Sequence, residues 1–126
     1  AGVPGLTDNV RVRSVIGRFL EHSRVFYFRA GQDEHLYLSS ADWMNRNMLR
    51  RIELAWPVND PQLRQRIIDE CLVAYLHDKR DAWLLRPDGS YQRPEGADDG
   101  TADAAQAALM QRHAASPGEE ELRAWT

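Results

Sequence analysis

The sequence predicts an α/β domain with a mixed or antiparallel sheet flanked by helices and followed by a C-terminal helical tail. Three observations carry that expectation. Short β-branched and aromatic runs alternate at period two, an apolar stripe recurs at helical spacing through residues 63–76, and the character of the chain changes beyond residue 93.

The elements follow in order. Pro4, Gly5, Asp8 and Asn9 mark residues 1–9 as loop. Val12, Val15, Ile16, Phe19 and Leu20 recur at steps of three and four, which predicts a short amphipathic helix over residues 10–20. Arg24-Val25-Phe26-Tyr27-Phe28-Arg29 suits a strand, Gly31-Gln32-Asp33 a turn, and His35-Leu36-Tyr37-Leu38-Ser39 the returning strand of a hairpin. Residues 41–50 read as a short helical turn with Asp42 as the plain candidate N-cap. Arg51-Ile52-Glu53-Leu54-Ala55-Trp56 alternates and predicts a third strand ending at Pro57. Asn59 or Asp60 can cap the next helix, with Pro61 at its first position. Leu63, Ile67, Ile68, Cys71, Leu72, Tyr75 and Leu76 give that helix its stripe. Residues 81–86 read as a fourth strand, Pro87-Asp88-Gly89-Ser90 as a turn, and Tyr91 as the start of a short return. Two regions result: a domain over residues 1–93, and an acidic linker with an Ala-rich helix near 101–113 over residues 94–126, whose last ten residues are expected to fray.

Composition narrows the function classes. The chain has 126 residues, 43% of them hydrophobic and 28% charged, which is enough for one modest core. No apolar run approaches the ~18 residues of a membrane-crossing helix, and the opening residues contain no signal-peptide core. A single cysteine, Cys71, precludes an internal disulfide. The net charge of −3 gives no support to a nucleic-acid partner. It is unevenly spread: residues 1–56 hold eight arginines against six acids, or +2, and residues 57–126 hold eight bases against thirteen acids, or −5. Fifteen of the sixteen basic residues are arginine, the better fork for phosphate oxygens. The absence of an initiating Met and the Gly2-Val3-Pro4-Gly5 opening suggest a piece of a longer protein.

The densest chemistry lies between residues 11 and 53. His22-Ser23-Arg24 enters one strand, and Ser39-Ser40-Ala41-Asp42-Trp43-Met44-Asn45-Arg46-Asn47 leaves its neighbour. Pairing of the two strands would gather an imidazole, a guanidinium, hydroxyls and amides at one end. That set suits phosphoryl chemistry. Histidine handles protons or accepts a phosphoryl group, arginine neutralises equatorial oxygens, and Ser and Asn orient the anion. Plain alternatives stand beside this: His22 as a helix-end cation, and Ser-Ser-Ala-Asp as an ordinary cap. Trp43 and Trp56 read as packing residues, His35 as an exposed strand residue, and His77 and His113 as helix-end residues. Asp98-Asp99 is too sparse for a metal site.

The run Asp8 to Arg24, the run Tyr37 to Asn47, and Arg50-Arg51-Ile52-Glu53 resemble, in order and spacing, the last domain of bacterial polyphosphate kinases. The resemblance covers about residues 2–80. It implies a phospholipase-D-like half and reversible transfer of the ATP γ-phosphate to inorganic polyphosphate. Mg²⁺ would assist, and a phosphohistidine would sit in a preceding domain. His22-Ser23-Arg24 stands for the superfamily's His-x-Lys, with Arg24 replacing Lys. Ser39-Ser40 followed by Asn45 or Asn47 stands for its Gly-Ser and Asn, with Ser39 replacing Gly. The site implied is His22 as the catalytic residue, with His22, Arg24, Ser40, Asn45 and Arg51 binding ATP or phosphate. The implied partners are ATP, polyphosphate, the preceding domains of the same chain, and further copies in a homo-oligomer. The isolated chain is expected to be inactive. The implied location is the cytoplasm, with the full-length protein either free there or associated with a membrane. Two other readings compete: a phospholipase-D-type phosphodiesterase or nuclease half, and a non-catalytic polyanion-binding module.

Overall fold

The computed structural model describes residues 1–100 and 103–114. The chain divides into two compact units, Leu20–Ala74 and Ala1–Phe19 with Tyr75–Thr126. Each carries one three-stranded antiparallel sheet, so the architecture is mixed α/β with two small sheets and helices.

The unit Leu20–Ala74 is built on a hairpin. Strand β2 (Val25–Ala30) pairs antiparallel with β3 (Asp33–Ser39), from Val25 opposite Leu38 to Ala30 opposite Asp33. That register leaves a two-residue loop. Gly31 takes φ 64 there, a left-handed value that a side chain would disfavour. β3 is the middle strand and also pairs with β4 (Ala55–Pro57), so its Leu36 is only 2% exposed. Phe28 meets Tyr37 edge-on at 6.4 Å. Helix α1 (Asn45–Arg50) follows the hairpin. Helix α2 (Pro61–Ile67) starts as its sequence requires: Asp60 Oδ1 accepts from the Gln62 and Leu63 amides, both at 2.9 Å, and Pro61 fills the first turn, where no donor is needed. Residues Ile68–Val73 continue as a π-helical run, which the apolar spacing does not announce.

The other unit holds α3 (Ala74–His77) from Tyr75 onward and the sheet β1-β5-β6, made of Arg13–Val15, Ala82–Leu85 and Tyr91–Gln92. Helix α4 (Ala105–Ala114) is anchored by polar side chains, since its apolar face is thin. Asp78 is fully buried and accepts from the Ala105 amide at 2.7 Å and the Asp81 amide at 2.7 Å. Its carbonyl accepts from the Arg13 guanidinium. Ala82, Ala97, Ala104 and Ala105 are buried in the same unit.

Several expectations are corrected. Residues 10–20 form no helix. Residues 13–15 are a strand paired with Ala82–Leu84, and Ile16 and Leu20 are 70% and 84% exposed. The stripe there consists largely of β-branched residues, and a sheet partner about seventy residues on decides their conformation. The third strand covers 55–57, not 51–56, because the Ser40 hydroxyl takes the Leu54 amide and the Ser40 amide takes the Leu54 carbonyl. Met44, not Asp42, is the N-cap of α1. The strand pairings among the described residues are antiparallel, one of the two expected arrangements, and fall in two sheets. The helix expected near 101–113 is observed from 105. The expectations about residues 101–102 and 115–126, including Trp125, lie outside the described residues. Among the described residues no helix is long and apolar enough to cross a membrane.

Candidate active site

The β2–β3 pairing brings the start of one strand beside the end of the other, and the Ser39 amide donates to the Arg24 carbonyl at 3.0 Å. Arg24 is therefore fixed by its backbone before its side chain acts. Its Nε donates to Asp42 Oδ1 at 2.6 Å, and its NH1 donates to the His22 carbonyl at 3.1 Å. The pair is half-buried. The hydrogen bond from Arg24 holds the Asp42 carboxyl below its usual range, helped by the charges of Arg24, Arg46 and His22 against the opposing effect of burial. In return Asp42 holds the guanidinium above its usual value.

A second cluster centres on Glu53. Ser40 Oγ donates to one carboxylate oxygen at 2.5 Å and Asn47 Nδ2 to the other at 2.7 Å. These two bonds pull the Glu53 carboxyl below its usual range, and the charges of Arg51 and Arg24 act the same way. The Ser40 proton is thereby committed, and the same oxygen accepts from the Leu54 amide at 3.0 Å. Ser39 bridges the loop, donating to the Leu54 carbonyl and accepting from the Ala41 amide, each at 3.1 Å. Asn47 is 4% exposed, and its Oδ1 is buried without a partner.

The expected residues thus divide. Arg24 and the His22 backbone share one contact network, with the His22 charge felt at Asp42. Ser40 belongs to the Glu53 cluster, and Arg51 reaches that cluster through its charge. Asn45 is exposed at the first position of α1 and makes no side-chain hydrogen bond among the described residues; the asparagine in the network is Asn47. Glu53 and the ion-pairing role of Asp42 were not singled out from the sequence. A signal for Glu53 existed, because the alternating run sets Arg51 and Glu53 two residues apart on one face. On the adjoining helical run, the Ser23 hydroxyl bonds Cys71, whose thiol is pushed up chiefly by burial.

The arrangement can hold an anion. Nε and NH1 of Arg24 each donate a hydrogen bond, which orients the guanidinium plane, and NH2 makes none among the described residues. Arg46 and Arg51 are exposed and make no ion pair among the described residues. A divalent metal is a different matter. Among the described residues no three of His, Cys, Asp and Glu gather, and both carboxylates of the site are already engaged. The donor set does not fit Mg²⁺.

Residues 1–106 match the family described as polyphosphate kinase C-terminal domain 2. A polyphosphate kinase of Paraburkholderia phytofirmans is 55% identical over 92 residues, covering 73% of this chain and 13% of that protein. One of Burkholderia vietnamiensis is 54% identical over 92 residues, with the same coverage. The crystal structure of polyphosphate kinase from Porphyromonas gingivalis superposes with a TM-score of 0.76 at 38% identity, covering 95% of this chain and 18% of that one. The chain therefore spans 13% of the length of the curated relatives it matches.

Proposed function

The chain belongs to the polyphosphate kinase C-terminal domain 2 family, and on that premise we propose that it supplies the nucleotide-phosphate half of an ATP–polyphosphate phosphotransferase site. The reaction read for the whole enzyme is reversible transfer of the ATP γ-phosphate to inorganic polyphosphate, through a phosphohistidine in the preceding domain. ATP and polyphosphate are the substrates, and the enzyme works as a homo-oligomer in the cytoplasm. Among the described residues the two carboxylates of the site, Asp42 and Glu53, are already engaged, so a Mg²⁺ ion used by the whole enzyme would take its ligands outside this cluster.

The observation that carries the reading is the tie between Arg24 and the His22 carbonyl. It sets a guanidinium and an imidazole-bearing residue side by side on an exposed strand entrance. Arg24 meets phosphate oxygens with its unused edge, and its charge stabilises the electron density that shifts onto them during transfer. His22 binds the same phosphate through its ring and moves a proton to or from it, without becoming the covalent carrier. Arg51 extends the cationic path. Asn45, exposed at the start of α1, offers its amide to a phosphate oxygen. Ser40 serves the site through Glu53, because its proton is already donated. The isolated chain is inactive on this reading, since the transferring histidine lies outside it.

The test is His22→Ala in the full-length kinase. ATP-dependent polyphosphate synthesis should collapse with the melting temperature unchanged. Activity near the parent level would end the assignment of His22.

A further inference from the structure

We propose that Asp42 is a positioning residue of the phosphotransfer site, acting through Arg24; the inference rests on the reading given under Proposed function. Its carboxylate is otherwise out of place. A negative charge beside an anion-binding site repels the substrate, and an ion pair this open to solvent adds little stability. Capping does not explain it either, because Met44 is the N-cap of α1 and no side chain caps that helix. The strand entrance needs no help from it, since the Ser39 amide already fixes the Arg24 carbonyl and Val25 is paired with Leu38.

What Asp42 does is geometric. It takes Nε at 2.6 Å, while NH1 reaches the His22 carbonyl at 3.1 Å. Two of the three guanidinium nitrogens are then fixed, so the plane cannot rotate about the last side-chain bonds. No hydrogen bond from NH2 is made among the described residues. The same guanidinium ties down the backbone of His22, so one carboxylate sets the orientation of the cation and the start point of the imidazole together. Without the Asp42 contact, Arg24 has several rotamers, and its bond to His22 becomes one alternative among them. Orientation of this kind is worth large rate factors when the reacting geometry is narrow.

The experiment is a double-mutant cycle in the full-length kinase, with steady-state polyphosphate synthesis as the readout and thermal melting as the check on folding. Asp42→Asn should lower kcat about 10- to 100-fold. The KM for ATP should change by less than about twofold, because the loss is one of orientation in the transition state. Asp42→Glu keeps the charge and should recover part of the rate. The double variant Asp42→Asn/Arg24→Gln should be no slower than Arg24→Gln alone, because the two residues act as a unit. If Asp42→Asn does not fold, the double variant, which replaces the ion pair by two amides, decides: a rate equal to that of Arg24→Gln supports the inference, and a further loss overturns it. A kcat within about twofold of the parent in Asp42→Asn overturns it, as do losses that multiply in the double variant. Loss confined to KM overturns it too. Full activity in His22→Ala would instead fell the underlying reading, whatever Asp42→Asn does.

Discussion

Gln106 grips the backbone of Phe19 with both ends of its carboxamide. Oε1 accepts from the Phe19 amide at 2.8 Å, and Nε2 donates to the Phe19 carbonyl at 2.7 Å. The side chain thus does what a neighbouring strand would do, across 87 residues of sequence, and the residue is only 6% exposed.

Gly17 makes that grip possible. A Cβ there would lie 2.4 Å from Gln106 Oε1 and 2.7 Å from its Cδ. Gly17→Ala should therefore expel the carboxamide and destabilise the chain by about 1–3 kcal/mol, the usual range for stranding a buried polar group. Urea denaturation measures it. In a Gln106→Ala background the same glycine change should cost much less, because the clashing atoms are gone. An equal cost in both backgrounds would show that Gly17 acts otherwise.

Asp78 offers a second check on the same unit. Its fully buried carboxylate satisfies the amides of Ala105 and Asp81. Asp78→Ala should cost about 1–3 kcal/mol by leaving both donors unpaired, read as a lower urea midpoint. Asp60→Ala, which removes an exposed cap, should cost about 1 kcal/mol. The order of the two effects is part of the prediction.

The two asparagines of the loop should separate cleanly. Asn47 is buried and donates to Glu53, so Asn47→Ala removes that bond and leaves a void, and should lower the melting temperature. Asn45 is exposed and makes no side-chain hydrogen bond among the described residues, so Asn45→Ala should stay within about 0.5 kcal/mol. Thermal melting of the two variants side by side distinguishes them.

Acid should weaken the unit that carries Asp42 and Glu53. Both carboxyls titrate below their ordinary values in the folded chain, Asp42 through Arg24 and Glu53 through Ser40 and Asn47. Just below the unfolded values of about 3.9 and 4.3, the unfolded chain binds protons that the folded chain does not. Their stabilisation is complete above that range and is lost as the pH falls through the folded pKa values. Asp42→Asn and Glu53→Gln should each flatten the acid limb of a stability-against-pH curve and leave it unchanged near neutrality, apart from a constant offset. A limb of unchanged slope would contradict the assignment.

The legible parts of the sequence are those whose cause is local. Asp60-Pro61 announces a helix start because both residues act on the next few amides. Gly31 announces a hairpin because its own φ demands it. The run 10–20 deceives because its spacing fits a helix, while its actual partner, Ala82–Leu84, lies far along the chain. The site behaves likewise. His22, Arg24 and Ser40 stand out by residue type, but the carboxylates that engage them do not. Asp42 reads as a cap until Arg24 is seen to draw its side chain away, and Asn47 is distinguishable from Asn45 only by burial. Gln106 has no local signature, because its partner backbone is that of Phe19.

The π-helical run Ile68–Val73 has a consequence for length changes in this chain. Its wider loops accommodate one residue more than a regular winding would over the same rise. Deleting a single residue there would let the segment relax into ordinary α geometry and leave the helical residues that follow facing much as before, because the wider winding turns less per residue. Adding a residue would instead swing those residues by about 100° around the axis. A one-residue loss is therefore the length change that this stretch should absorb best.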